Sequence, residues 1–261
     1  MNEGEIVSKQ EFPSPHPNVE LWLVTYRSQG LNVKGLLAKP KIEGKLDGFL
    51  YLRGGIKNVG KVRPARITQF ASHGFIVFAP FYRGNQGGEG HEDFGGKDRY
   101  DAISGFQLLK QQDNVNPNRI HVFGFSRGGI MALFTAIECK EVATVVSWAG
   151  VSDMFLTYSE RKDLRRMMKR VIGGSPHKLP EAYEYRTPLS SLERIQAPTL
   201  LIHGHKDQNV SIEHAYRLEK QLINLNKAVE SWYFEQYTHY FPPHINRRMV
   251  KDLCSWMKKQ G

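Results

Sequence analysis

The chain predicts an α/β architecture: a mostly parallel central sheet with helices on both faces. Three features point there. From Gly48 onward, strand-like apolar runs alternate with helical stripes. The run Phe75–Ala79 among them is apolar at every residue, as strands covered on both faces are. The strand-like run Ile120–Phe123 leads straight through Gly124-Phe125-Ser126-Arg127-Gly128 into a helical segment. With 261 residues, 40 % hydrophobic and 24 % charged, the chain suffices for one large domain over 1–261, with no need for disulfides or structural metals.

The elements follow in order. Leu21–Tyr26 and Val33–Ala38 are β-rich and alternating, joined by Ser28-Gln29-Gly30. Gly48–Leu52 is a short apolar run that stops at Arg53-Gly54-Gly55. A helix is expected around Ala65–Ser72, with Ile67, Phe70 and Ala71 at core spacing, then a buried strand at Phe75–Ala79. A glycine-rich loop precedes a helix near Tyr100–Lys110. Ile120–Phe123 is the next strand, followed by a helix over about Arg127–Cys139 and a strand at Val142–Ser147. Thr199–His203 and Ser231–Phe234 read as strands, and His244–Lys258 carries Ile245, Met249, Leu253 and Trp256 on one helical stripe. Asp153 to Pro188 breaks the alternation. There Leu164, Met167, Met168 and Val171 sit at helical spacing among Arg165, Arg166, Lys169 and Arg170, which predicts a small helical cap with its apolar side on the core and its basic side in solvent.

The formal charge of +10 is spread along the chain apart from the run at Arg161–Arg170, so no nucleic-acid footprint is expected. Cys139 and Cys254 are the only cysteines, far apart and both in helical segments, which suits a reducing compartment. The polar, mixed-charge stretch Met1–Gln10 lacks the apolar core of a signal peptide, and no run approaches the ~20 residues of a membrane span. A cytoplasmic protein without a membrane partner is the expectation.

Ile120 to Gly129 carries the chemistry. A buried strand running into Gly-x-Ser-x-Gly and then a helix holds the serine on a strained turn, its hydroxyl above the sheet, and so predicts the α/β-hydrolase fold with Ser126 as nucleophile. The N–H of Arg127, at the start of the helix, is positioned to stabilise an oxyanion. A serine needs a base, and this fold supplies Ser, then an acid, then His, on loops after successive strands. Asp207, beyond Leu200-Leu201-Ile202-His203, is the expected acid, and His239, in the loop after Tyr233-Phe234, the expected base. The second oxyanion donor is expected after Leu52. The N–H of Gly55 fills that role, with the Arg53 guanidinium as an alternative donor or a carboxylate anchor, or else in a structural ion pair.

With these residues in place, the chain resembles the catalytic domain of the prolyl oligopeptidase family from about Leu50 to the C-terminus. The resemblance rests on Phe81-Tyr82-Arg83-Gly84, Asn116-Pro117-Asn118-Arg119-Ile120, Gly124-Phe125-Ser126-Arg127-Gly128-Gly129, Ala197-Pro198-Thr199 and His203-Gly204-His205-Lys206-Asp207. It implies acyl hydrolysis through a covalent seryl intermediate, with no cofactor. Two departures are visible. About fifty residues precede the resemblance, too few for the β-propeller of the family's large peptidases, and Arg53 stands where the family has His or Tyr before Gly-Gly. Hydrolysis of carboxylic esters of small acyl groups is therefore the expectation, with cleavage of peptides or acyl-peptides as the alternative. Tyr82 and Trp148, expected on loops after strands, are candidates to line the acyl pocket. A small-molecule ester or short peptide is the expected partner.

Three other readings are weaker. His203-x-His205-x-Asp207 has alternating metal-ligand types, but Gly204 and the loop position work against one-face geometry, and Ser126 would be left without a role. Gly84-Asn85-Gln86-Gly87-Gly88-Glu89-Gly90 fits neither phosphate-binding glycine pattern and reads as a flexible loop near the site. A basic binding protein on a hydrolase fold would leave the three candidate catalytic residues unexplained.

Overall fold

The structure, a computed structural model, describes residues 2–260. Its strands are β1 (Ile6–Glu11), β2 (Val19–Ser28), β3 (Leu31–Pro40), β4 (Leu46–Leu52), β5 (Phe75–Pro80), β6 (Val115–Phe125), β7 (Val142–Trp148), β8 (Thr199–Gly204) and β9 (Val229–Phe234). Its helices are α1 (Pro64–Ala71), α2 (Arg99–Lys110), α3 (Gly128–Glu138), α4 (Met154–Glu160), α5 (Arg165–Ile172), α6 (Pro180–Glu184), α7 (Glu213–Asn224) and α8 (Pro243–Gln260). One sheet runs β1-β2-β3-β5-β4-β6-β7-β8-β9. The pairings from β1 to β5 are antiparallel, and those from β5 through β4 to β9 are parallel.

The fully apolar runs have a direct explanation. Side chains alternate across a strand, so a strand covered on both sides is apolar at every position. Phe49, Phe123, Val146 and Leu200 point to the face covered by α1 and α8, with Ile67, Phe70, Val250 and Leu253 opposite. Leu50, Val122, Val145 and Leu201 point to the other face, against Phe106 of α2, Ile130 and Leu133 of α3 and Leu218 of α7. Phe49 meets Phe70 at 4.6 Å and Phe123 at 5.8 Å between ring centres, which welds α1 to the strands flanking the site.

Three differences from the sequence reading stand out. Residues within the N-terminal polar stretch form β1, an edge strand whose side chains are almost all exposed. Helix α7 occupies a segment for which no element was expected; its stripe of Ala215, Leu218 and Leu222 is buried. Trp148 is the last residue of β7 rather than part of the following loop.

Between β7 and β8 the chain leaves the sheet in α4, a 3₁₀ turn at Lys162–Leu164, α5, α6 and a second 3₁₀ segment at Pro188–Arg194. Asp153 caps α4 by accepting the N–H groups of Phe155 and Leu156 at 2.8 and 3.1 Å. Within α5 only Met168 is buried. Arg165 turns back to the carbonyls of Tyr158 and Ser159, both at 2.8 Å, and satisfies the end of α4.

Cys139 and Cys254 are buried free thiols, and burial pushes both up to about 12. Among the described residues no helix is long and apolar enough to cross a membrane.

Candidate active site

Strand β6 delivers Ser126 to the C-terminal edge of the sheet, where the chain must reverse into α3. Ser126 has φ 57°, a left-handed conformation costly for a residue with a Cβ. Three backbone bonds hold it: its N–H donates to Trp148 O at 3.1 Å, and its carbonyl accepts from Gly129 at 2.9 Å and Val151 at 2.9 Å. The flanking glycines are steric requirements. A Cβ at Gly124 would run into the Gly128 carbonyl, and one at Gly128 into the Leu52 carbonyl. Gly54 comes so close that a Cβ there would lie 2.7 Å from Ser126 Cβ. The loop after β4 is thus pressed against the nucleophile.

Asp207 follows β8. Its Oδ1 accepts the N–H groups of Asn209 and Val210 at 2.8 and 3.0 Å, and its Oδ2 accepts from His239 Nδ1 at 2.7 Å. Burial by itself would raise its pKa. Hydrogen bonds from His203, His239 and the Val210 N–H outweigh that and hold it well below the usual carboxylate range. With Nδ1–H donated to Asp207, Nε2 of His239 is the ring nitrogen left to accept a proton. Phe125 packs on the imidazole at 4.8 Å. Ser126 and His239 line one cavity, although no hydrogen bond joins them among the described residues. Such links are often open until substrate binds.

The N–H groups of Arg127 and Gly55 donate to no acceptor among the described residues, and both residues line the same cavity. Two expected substrate-binding residues have other engagements. Arg53 is 3 % exposed, and its guanidinium is committed: to Glu92 Oε1 at 2.9 Å, Phe81 O at 2.9 Å and Gly54 O at 3.0 Å. It is the ion-pair alternative that the geometry shows, because each of these acceptors belongs to the protein. Tyr82 is fully buried, not pocket-lining, and the guanidiniums of Arg53 and Arg127 lie 5.0 and 4.9 Å from its ring. Trp148 does line the cavity.

Sequence reasoning missed the acids that organise these arginines. Glu92 Oε1 also accepts from Arg127 Nη2 at 2.5 Å, while its Oε2 accepts from the Lys57 N–H at 2.7 Å and Asn85 at 2.9 Å. Asp98 accepts from Arg127 Nη1 at 3.0 Å. Burial opposes the charge on Glu92, but Arg127 and Arg53 more than offset it and lower its pKa. Arg83 makes a buried pair with Asp101 at 2.8 Å. These pairings span the glycine-rich loop and α2, with no local sequence signal.

Of the His203-x-His205-x-Asp207 residues, only His205 stands apart. His203 Nε2 donates to Val210 O at 2.9 Å and lies 3.5 Å from Asp207 Oδ2, whereas His205 is exposed and packs edge-on to Tyr216 and Tyr233. Among the described residues no three His, Cys, Asp or Glu come together to hold a metal.

The cavity has a volume of about 1040 Å³. Ser126, His239, Trp148, Gly54 and Gly55 line it, and Thr157, Arg161, Leu164 and Met167 reach it from the segment between β7 and β8.

Residues 61–261 match the Prolyl oligopeptidase family. A Bacillus subtilis (strain 168) protein named "Uncharacterized peptidase YtmA" is 64 % identical over 256 residues, covering 98 % of this chain and 100 % of its own length. Pyrococcus horikoshii acylaminoacyl peptidase superposes with a TM-score of 0.80 at 22 % identity, over 98 % of this chain but 42 % of its own. An acetyl xylan esterase from Paenibacillus sp. R4 superposes with a TM-score of 0.75 at 19 % identity, over 97 % of this chain and 88 % of its own. At those identities the two superpositions speak for the fold. The chain has the α/β-hydrolase fold and belongs to the prolyl oligopeptidase family of serine hydrolases.

Proposed function

We propose that this chain hydrolyses carboxylic esters of small acyl groups, with Ser126, His239 and Asp207 as its catalytic residues. The observation that carries the reading is the 2.7 Å bond from His239 Nδ1 to Asp207, made at the wall of the cavity that also holds Ser126. Ser126 Oγ attacks the acyl carbon while His239 Nε2 takes its proton, and the developing oxyanion accepts from the N–H groups of Arg127 and Gly55. Collapse breaks the bond to the leaving alcohol, which receives the proton from His239. Water then attacks the acyl-enzyme, again giving its proton to His239, and the acid and Ser126 are released. Trp148 forms part of the acyl pocket, and the helices from Asp153 to Pro188 act as a small cap on a single domain.

The esterase preference is supported by the likeness to an acetyl xylan esterase over 88 % of that chain, against 42 % of the acylaminoacyl peptidase. Peptide or acyl-peptide cleavage is the second reading. It is favoured by the 64 % identical relative, which carries the name of a peptidase.

Intact mass after exposure to a fluorophosphonate, with turnover of p-nitrophenyl acetate and butyrate beside an acetyl-peptide p-nitroanilide, tests both. One adduct and ester turnover are expected in the wild type, with no adduct and a rate loss of about 10⁴-fold or more in Ser126→Ala. Anilide turnover exceeding that of the esters would transfer the assignment to the peptidase. An adduct that persists in Ser126→Ala would remove Ser126 from its role.

A further inference from the structure

Six lysine and arginine side chains line the cavity that holds Ser126, and among the described residues no aspartate or glutamate does. Their partners divide them. Arg53 and Arg127 turn away into Glu92 and Asp98, and Arg161 is held by Asp163 at 2.7 Å. Arg66, on α1, has no carboxylate within ion-pair distance among the described residues. Its Nη1 donates to two neutral amide oxygens, Gln69 Oε1 at 3.1 Å and Asn246 Oδ1 at 2.6 Å. The guanidinium lies 4.7 Å from the Phe70 ring and 5.6 Å from that of Trp148, on a half-buried apolar wall.

A cation in such a setting has lost water without gaining an anion, and an anion delivered by a ligand is the missing partner. Burial pulls the Arg66 pKa below its ordinary value, yet a guanidinium stays cationic in proteins. A second donor nearby is also unused: Trp148 Nε1 is buried without an acceptor among the described residues. The wall adjoins the nucleophile, because the carbonyl of the same Trp148 holds the Ser126 N–H at 3.1 Å. Lys61 and Arg63, exposed on the segment leading into α1, extend the positive potential to the mouth.

We infer that Arg66 anchors a carboxylate on the substrate, so that the ester or amide cleaved at Ser126 carries an anionic group against the α1 wall. The inference rests on Ser126-dependent hydrolysis. A substrate presenting a free amine at this wall would meet like charge only, whereas a carboxylate completes the guanidinium with charge-assisted bonds.

The test compares mono-p-nitrophenyl adipate with its methyl ester, which places the charge on the acyl side. It also compares 4-carboxyphenyl butyrate with its methyl ester, which places the charge on the leaving group. Rates in Ser126→Ala are subtracted throughout. The wild type should favour the charged member of at least one pair in kcat/KM, and Arg66→Gln should cut that preference by about tenfold or more, mainly through KM. Arg248→Gln, whose side chain is 78 % exposed, should leave the preference unchanged. Tryptophan-fluorescence titration with adipic acid monoanilide against its methyl ester reads the same wall without hydrolysis. Tighter binding of the acid that Arg66→Gln abolishes is expected. If neither fluorophosphonate labelling nor ester turnover occurs, hydrolysis falls, while the titration still decides whether Arg66 takes a carboxylate. Equal handling of charged and neutral members in both pairs and in the titration overturns the inference, as does an Arg66→Gln variant that weakens both members alike.

Discussion

The arginines behind Ser126 and the arginine in front of it meet opposite fates. Behind, Arg53 and Arg127 converge on Glu92, with Asp98 taking a second edge of Arg127, so two buried cations are matched by two buried acids. In front, Arg66 is offered neutral groups, two amides and the Tyr51 hydroxyl. The same side chain therefore serves as a rigid brace in one place and as an open valence in the other. His214 shows a third solution. It is buried without a close anion, with Glu160 3.9 Å away, and desolvation drives its pKa down to about 3, so it stays uncharged. Among these side chains a buried basic group is paired by the chain, discharged, or left for something outside the chain, and the last of these invites a ligand.

The largest expected effect lies on the braced side. Glu92→Ala leaves two buried guanidiniums short of an anion and should cost about 3–5 kcal/mol in urea unfolding. A loss below about 1 kcal/mol would show that the brace carries little. His214 comes next, through pH. Its folded pKa lies below the unfolded value near 6.5, so its contribution is present above pH 6.5 and lost as pH falls toward about 3. The slope approaches about 1.4 kcal/mol per pH unit for one such group. His214→Asn, which keeps an acceptor for the Ser152 N–H now 3.2 Å from Nδ1, should flatten the melting-temperature profile between pH 6.5 and 4. An unchanged profile would mean that other groups govern acid unfolding. Arg66→Gln should shift stability by no more than about 1 kcal/mol in either direction, because no ion pair is lost. A loss as large as that of Glu92→Ala would erase the contrast between the two sides. Smallest is Arg194→Ala, which removes an exposed pair with Glu138 at 3.3 Å and should cost at most about 0.5 kcal/mol by thermal melting.

What could be read in advance follows the range of each interaction. Strand β5 is apolar at every position, and β6, β7 and β8 carry short apolar stretches, because both faces are covered, a pattern printed directly in the residues. The positions of Ser126, Asp207 and His239 were legible because each comes after the end of a strand, β6, β8 and β9. Strand β1 was not, since an edge strand with exposed side chains has no reason to be apolar; Lys9 lies 3.8 Å over the Trp22 ring there instead. Glu92 was hidden among glycines, and its partners Arg53 and Arg127 lie 39 and 35 residues away. Tyr82 looked like a pocket residue from its place after β5. Its backbone, at φ 65°, turns it inside the protein, where two guanidiniums lie against its ring. Arg66 stands beside the visible stripe of Ile67 and Phe70 and reads as a solvated position; only the fold brings Trp148 and Asn246 against it.

The burial of Cys139 and Cys254 has a practical side. With both thiols pushed up to about 12, almost no thiolate exists at neutral pH, and alkylating agents and mild oxidants have nothing to attack. The protein should keep without reductant and pass unlabelled through maleimide. A single cysteine introduced at Tyr240, which is 70 % exposed beside His239, would then be the only addressable sulfur and would place a spin label or fluorophore at the rim of the cavity.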